Sequence, residues 1–394
     1  MSMTSEIKTH LTEKIIPFWK GLRDDEFGGY YGYMDYETLT VDKKSVKGCI
    51  LHSRILWFFS NAYMLLKDES LLDEANHTYE FIEKHCFDGE FGGIYWALNY
   101  DGTVNDSLKH TYNQAFCIYA LSSYYEASGN KEALKKAYEL FNLVETICKD
   151  EVGYLEAFTR EFKITDNDEL SENGVMADRT MNTLLHVLEA YTELYRVDHN
   201  ESVKKALCWI LDCFKDHMYN PALHRQEVFF DNEYNSIIDL YSYGHDIETS
   251  WLIDRATKVM EDSEYTNKMN PITWDLLNNV MQVAFDGHSL NNECERGVVN
   301  TTKVWWVQAE TVVGFLNAYQ KSGEKKYLEA AEATWEYIKN VIVDKREGSE
   351  WMSEVDVNGV AVTKKPIVEP WKCPYHNGRM CIEVIKRIGG EQNV

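Results

Sequence analysis

The stretch His52-Ser53-Arg54-Ile55-Leu56-Trp57-Phe58-Phe59-Ser60-Asn61-Ala62-Tyr63-Met64-Leu65-Leu66 decides the fold. A polar triplet leads into an apolar run with no strongly charged side, so the helix it predicts must be buried on more than one face. The plan recurs five more times. His110-Thr111-Tyr112-Asn113 leads Ala115–Tyr125, Asp178–Asn182 leads Leu184–Tyr195, and His245-Asp246-Ile247-Glu248 leads Trp251–Met260. Trp305-Trp306 leads Ala309–Tyr319, and His376-Asn377-Gly378-Arg379 leads Met380–Ile388. A repeat of this length is the mark of a supersecondary unit copied along the chain.

Between these runs lie amphipathic helices with charged outer faces: Ile7–Trp19, Leu71–His85, Glu132–Cys148, Val203–Met218, Ile272–Phe285 and Tyr327–Val343. Six inner and six outer helices in alternation close into an all-α (α/α)6 barrel. Short β-hairpin inserts are expected before the inner helices. Gly28-Gly29-Tyr30-Tyr31 and Gly92-Gly93-Ile94-Tyr95 share one form, and Tyr154–Phe158, Val228–Asp231 and Trp351–Val355 fill matching slots. No Ser/Gly/Pro-rich linker divides residues 1–394, so one catalytic domain is expected. Polar clusters at all six inner-helix starts converge on one end of the barrel, which is the candidate cleft.

Composition excludes other classes. Of 394 residues, 40 are Lys or Arg and 64 are Asp or Glu, a net charge of −24 that is unsuited to neutralising phosphates, so no nucleic-acid partner is expected. No apolar run reaches membrane-spanning length and no secretory h-region is visible, so no membrane partner is expected and the placement is cytoplasmic. Nine cysteines without a CxxC pair read as reduced core thiols. At 13% aromatic residues, the chain holds both core and stacking surfaces for a sugar.

His52, His110, His186, His245 and His376 are placed on the first turns of inner helices. Imidazole exchanges protons near its reference pKa of about 6.5. His245-x-x-Glu248 is a two-ligand spacing, but no zinc motif accompanies it, so no metal and no organic cofactor is expected. Glu248 and Glu310 form the carboxylate pair a glycoside hydrolase would need. A non-catalytic sugar-binding protein and a metal-dependent isomerase are further alternatives.

Several blocks carry a resemblance. They are Ile50–Phe58, Lys109–Asn113, Ser242–Glu248, Val304–Glu310 and Trp371–Cys381. In order and spacing they closely resemble the cellobiose 2-epimerase branch of the N-acylglucosamine 2-epimerase superfamily, over essentially the whole chain. The resemblance implies the (α/α)6 barrel and cofactor-free epimerisation at C2 of the reducing-end glucose of β-1,4-linked disaccharides, through a cis-enediolate. It implies that His245 and His376 are the acid/base pair, and that His186 and Arg54 assist. Tyr112, Asn182, Glu248, Trp306, Glu310 and Trp371 become substrate-binding residues. The implied partner is a small disaccharide, with the protein a monomer or weak homodimer. Val307-Gln308 after the paired Trp favours the disaccharide branch over enzymes acting on monosaccharides or N-acylglucosamine, or on aldose–ketose pairs.

Overall fold

The computed structural model describes residues 2–167 and 174–389. The five full inner helices are each 18 residues long: α2 (Cys49–Leu66), α4 (Thr111–Ser128), α6 (Met181–Asp198), α8 (Tyr243–Met260) and α10 (Trp305–Ser322). The sixth is α12 (His376–Gly389). The outer helices are α1 (Met3–His10, continuing through Leu11–Ile15 and Ile16–Lys20), α3 (Glu69–Phe81), α5 (Lys131–Thr146), α7 (Glu201–Cys213), α9 (Ser263–Val283) and α11 (Lys325–Tyr337). Consecutive inner helices pack side by side, and α12 packs on α2 to close the ring. This is the expected (α/α)6 barrel. Among the described residues, no helix is long and apolar enough to cross a membrane. All nine cysteines are unpaired thiols.

The two ends of the barrel are built differently. At one end each full inner helix stops in a left-handed residue (Lys67, Gly129, His199, Glu261 or Gly323). The next residue opens the outer helix. Asp68, Asn130, Asn200 and Asp262 accept hydrogen bonds there from first-turn backbone N–H groups. These two-residue links leave no room for a site. All longer connections are therefore at the opposite end.

At that end short strands form a ring of pairs. The strand entering each inner helix pairs with the insert of the following repeat: Lys47–Gly48 with Ala97–Leu98, Lys109–His110 with Ala157–Phe158, and Arg179–Thr180 with Phe229–Phe230. Leu240–Ser242 pairs likewise with Glu293–Glu295, and Lys303–Val304 with Glu354–Val355. Met34, in the first insert, bridges Val368 before the last inner helix, so the ring joins both ends of the chain. Ion pairs reinforce it, buried at Asp24–Lys47 (2.6 Å), Asp88–Lys109 (3.2 Å) and Glu350–Lys372 (2.5 Å), and with an exposed carboxylate at Asp150–Arg179 (2.6 Å) and Asp286–Lys303 (2.7 Å).

The fourth residue of the inner helices ties down the inserts. His52 Nε2 accepts from the Tyr30 N–H at 3.0 Å while its Nδ1–H donates to the Gly48 carbonyl at 2.8 Å. Gln114 and Gln308 each bond both backbone groups of Ile94 and Leu290, and Asp246 accepts from the Gln226 N–H. His52 and Asp246 are therefore scaffold rather than proton shuttles. The Gly-Gly repeat follows from the same contact: Gly29 and Gly93 have φ of +68° and +69°, and a Cβ on Gly29 would lie 2.5 Å from His52 Nε2.

Two expectations shift in register. Helices α2 and α8 begin before their polar clusters, because the entering strand turns directly into the helix; α4 and α6 begin inside theirs, with His110 and Thr180 ending the entering strands, and α10 and α12 begin at theirs. Outer helix α9 starts at Ser263, not Ile272, because the exposed Pro271 is accommodated inside it.

Candidate active site

Equal helix lengths put equivalent positions at one depth in the barrel. The second residues are Ile50, Tyr112, Asn182, Gly244 and Trp306. The sixth are Arg54, Phe116, His186, Glu248 and Glu310, and the ninth are Trp57, Tyr119, Glu189, Trp251 and Val313. Positions 2, 6 and 9 lie on one helix face, here the face turned to the lumen. Seven of the ten candidate residues occupy these positions: Arg54, Tyr112, Asn182, His186, Glu248, Trp306 and Glu310. His245, His376 and Trp371 join them from the mouth. Gly244 is small where its neighbours are large, since a Cβ there would lie 2.6 Å from the Trp306 ring.

Contacts join nine of the ten. Arg54 Nη2 donates to the Tyr112 hydroxyl at 2.8 Å, and Nη1 to the Trp371 carbonyl at 3.3 Å. The Tyr112 and His186 rings meet edge to face at 5.0 Å. His186 Nδ1 lies 3.0 Å from Glu189 Oε2. Glu189 accepts from Arg379, which also bonds Glu248 and, at 2.7 Å, Glu310 Oε1. Glu310 Oε1 lies 2.8 Å from His376 Nδ1, and Oε2 accepts from Trp251 Nε1 at 3.0 Å. Trp306 stands between the two remaining imidazoles, its ring centroid 4.8 Å from that of His245 and 5.5 Å from that of His376. Asn182 shares only the helix, one turn before His186.

Burial sets the charge states. It pushes the His245 imidazole down to about 3 and holds His376 well below 6.5, where Arg379 and Arg54 add repulsion. Both rings are neutral bases. Burial raises Glu189, but Arg379 and His186 outweigh it and hold that carboxyl well below its usual range. Burial and the adjacent Glu310 drive Glu248 well above its usual value, while Glu310 rises less far against the pull of Arg379.

The backing of the two imidazoles differs. His376 Nδ1 faces a carboxylate, which orients the ring with Nδ1–H donating and Nε2 free as base, and which stabilises the imidazolium once formed. His245 Nδ1 lies 2.7 Å from Ser242 Oγ, a hydroxyl that donates or accepts, so its other nitrogen serves as acid or base. Arg54 Nε, Asn182 Oδ1 and Glu248 Oε2 are buried polar atoms without a partner among the described residues. Such orphans at one end of a barrel mark a place for a hydroxyl-rich ligand.

A profile of the N-acylglucosamine 2-epimerase (GlcNAc 2-epimerase) family matches residues 19–377. The chain belongs to this family. A cellobiose 2-epimerase of Ruminococcus albus is 54% identical over 385 residues, covering 98% of this chain and 99% of that protein. A sugar epimerase from a ruminal bacterium superposes with a TM-score of 0.97 at 53% identity, covering 98% of this chain and 99% of the other. The cellobiose 2-epimerase of Bacillus thermoamylovorans gives 0.94 at 46% identity, with the same coverage.

Within this family member, the metal and hydrolase readings both meet Arg379. Glu248, Glu310 and His376 bring ligand atoms within 4.8 Å of one another. A guanidinium already bonds both carboxylates, and its charge opposes a metal cation. The same Arg379 nitrogen joins Glu248 to Glu310, so they do not flank a substrate as hydrolytic carboxylates must. His245 and Glu248 do not act as paired ligands either, since Nδ1 turns to Ser242 and Glu248 to Arg379.

Sequence reasoning missed four residues of this network: Glu189, Trp251, Arg379, and Tyr375, whose hydroxyl donates to Glu189 and accepts from Arg379. Trp251 reads as core from its spacing, yet its indole N–H holds Glu310. A signal existed for Glu189, an acidic residue three positions after His186 and so beside it on the helix surface.

Proposed function

We propose that this epimerase-family chain is a cellobiose 2-epimerase that inverts C2 of the reducing-end glucose of β-1,4-linked disaccharides. The observation that carries the reading is the pair of neutral imidazoles against one indole, His376 backed by a carboxylate and His245 by a hydroxyl. The relatives in hand, named cellobiose 2-epimerase at about half identity, support the substrate.

The chemistry follows from these groups. The ring opens when a base takes the O1 proton and an acid protonates the ring oxygen; the C1–O5 bond breaks and C1 becomes an aldehyde. The carbonyl acidifies C2–H. His376 Nε2 removes that proton, and the bonding pair becomes the C1–C2 double bond of a cis-enediolate, with charge on O1. Arg54 and His186 stabilise that oxygen, an effect typically worth about 10²–10³ in rate. Rotation about C2–C3 turns the other face to His245, which takes a proton from solvent and delivers it to C2, while His376 releases its own to solvent. The ring then closes, and no net proton is consumed. Trp306 and Trp371 stack on the sugar rings, and Tyr112, Asn182 and Glu248 bond hydroxyls. Glu310 is spent on His376, Arg379 and Trp251, so it supports the base rather than touching sugar.

Cellobiose incubated with the enzyme in D2O should yield glucosylmannose carrying deuterium at C2 of the reducing sugar, read by NMR. Product formed with only protium there overturns exchange through solvent-accessible imidazoles.

The pH profile gives a second test. The imidazoles work as bases in their neutral form, and burial depresses their pKa. Falling pH therefore protonates them late, and the acid limb of kcat/KM should lie well below pH 6.5. Half-loss of kcat/KM at pH 6.5 would show that the rings are not held neutral.

A further inference from the structure

The hydroxyl behind His245 is diverted from its ordinary use. Ser242 ends the strand Leu240–Ser242 and stands directly before α8, in the capping position. A serine there ordinarily accepts a hydrogen bond from a first-turn backbone N–H. Thr180 does so at the equivalent place before α6, accepting from the Thr183 N–H at 3.0 Å. Ser242 makes no such bond. Its hydroxyl lies instead 2.7 Å from His245 Nδ1, its one side-chain partner among the described residues.

The other neighbours of His245 do not orient it. Trp306 packs against the ring at 4.8 Å between centroids and limits its swing. That contact does not choose between the two nitrogens, because an imidazole turned over about its Cβ–Cγ bond fills nearly the same space. The polar residues that follow in the chain are engaged elsewhere, Asp246 with Gln226 and Glu248 with Arg379. Among the described residues, only Ser242 distinguishes Nδ1 from Nε2.

We propose that Ser242 is a positioning residue for the epimerisation: by engaging Nδ1 it presents Nε2 of His245 to C2, and so sets how often the enediolate is protonated on the product face rather than returned to substrate. The proposal rests on the function proposed above. The enediolate has two exits. In one, the His245 cation delivers its Nε2 proton to the product face; the C1–C2 double-bond pair forms the new C2–H bond and O1 becomes a carbonyl again. His245 is left neutral, with Nδ1–H donating to Ser242 Oγ. In the other, His376 delivers a proton to the original face by the same electron movement, and cellobiose is regenerated. Glu310 backs His376 at 2.8 Å, so this second exit does not depend on Ser242. Loss of the hydroxyl therefore slows one exit and spares the other.

The test follows deuterium in D2O at low conversion, comparing the label at C2 of the cellobiose left over with the amount of epimer formed. Ser242→Ala should raise that ratio about tenfold, the effect of one lost hydrogen bond on one of two competing steps. KM for cellobiose should change less than about twofold. Run from glucosylmannose, where His245 is the base, the same variant should lower the label in leftover substrate per product by a similar factor. Ser242→Thr keeps the hydroxyl and should restore both ratios to those of the parent. A residue that only held the fold would slow both exits together. Ratios in the alanine variant equal to those of the parent therefore overturn the proposal, as does a threonine variant that behaves like alanine. Failure of the parent to epimerise cellobiose at all would instead overturn the function.

Discussion

His376→Ala is expected to lower kcat on cellobiose by about 10²–10⁴-fold, the usual contribution of a positioned acid/base group. The far-UV circular dichroism should match the parent, because the residue sits at the open mouth and its removal leaves the strand ring intact. The charge logic makes the test specific. His376 must be neutral to accept the C2 proton and cationic just after, and Glu310 Oε1 at 2.8 Å supports that cation. Glu310→Gln should therefore lower kcat with little change in KM, since the carboxylate supports the base and does not contact sugar. His245→Ala should lose a comparable factor. Activity within tenfold of the parent in either histidine variant would remove that residue from proton transfer.

Arg379→Met should be the most damaging single change to the fold. One guanidinium contacts Glu189, Glu248 and Glu310, all fully buried. Removing the cation leaves uncompensated buried charge, which typically costs about 3–5 kcal/mol. The pH dependence distinguishes this from lost packing. In the parent, Glu189 is held below its unfolded pKa, so its contribution is present at neutral pH and fades as pH falls through the folded value. Without Arg379, burial becomes the dominant influence against the weaker pull of His186 and Tyr375 and lifts that pKa, so folding then favours the protonated acid. The stability gap between parent and variant, measured by urea unfolding, should narrow from pH 7 to pH 5. A gap independent of pH would show that packing, not charge, is what Arg379 supplies. Arg379→Lys should rescue only partly, because a single ammonium cannot serve carboxylates on two separate nitrogens.

Much of the fold was legible because it is repetitive. Apolar runs without a charged side, six times over, require inner helices, and charged partners between them require an outer ring. The lumen-facing positions were legible in part for the same reason. Arg54, Tyr112, Asn182, His186, Glu248, Trp306 and Glu310 all occupy the second or sixth place of equal helices. The histidines were harder to sort. His52 and His186 stand two residues apart in the repeat, yet one faces an insert strand and the other the lumen. Side-chain type does not reveal this; helix start does, and the start is set by where an entering strand finds its partner in the next repeat.

The sequence by itself determined that a polar end exists, because periodicity dictates which helix faces are buried and length dictates how many helices close the ring. Only the tertiary structure decided how the polar end works. Arg379 meets Glu189, Glu248 and Glu310 across separations of 190, 131 and 69 residues. No local pattern records such meetings, since they depend on the ring closing α12 against α2 and α10. That closure sets which imidazole has a carboxylate behind it, and hence which histidine is ready to act as the base.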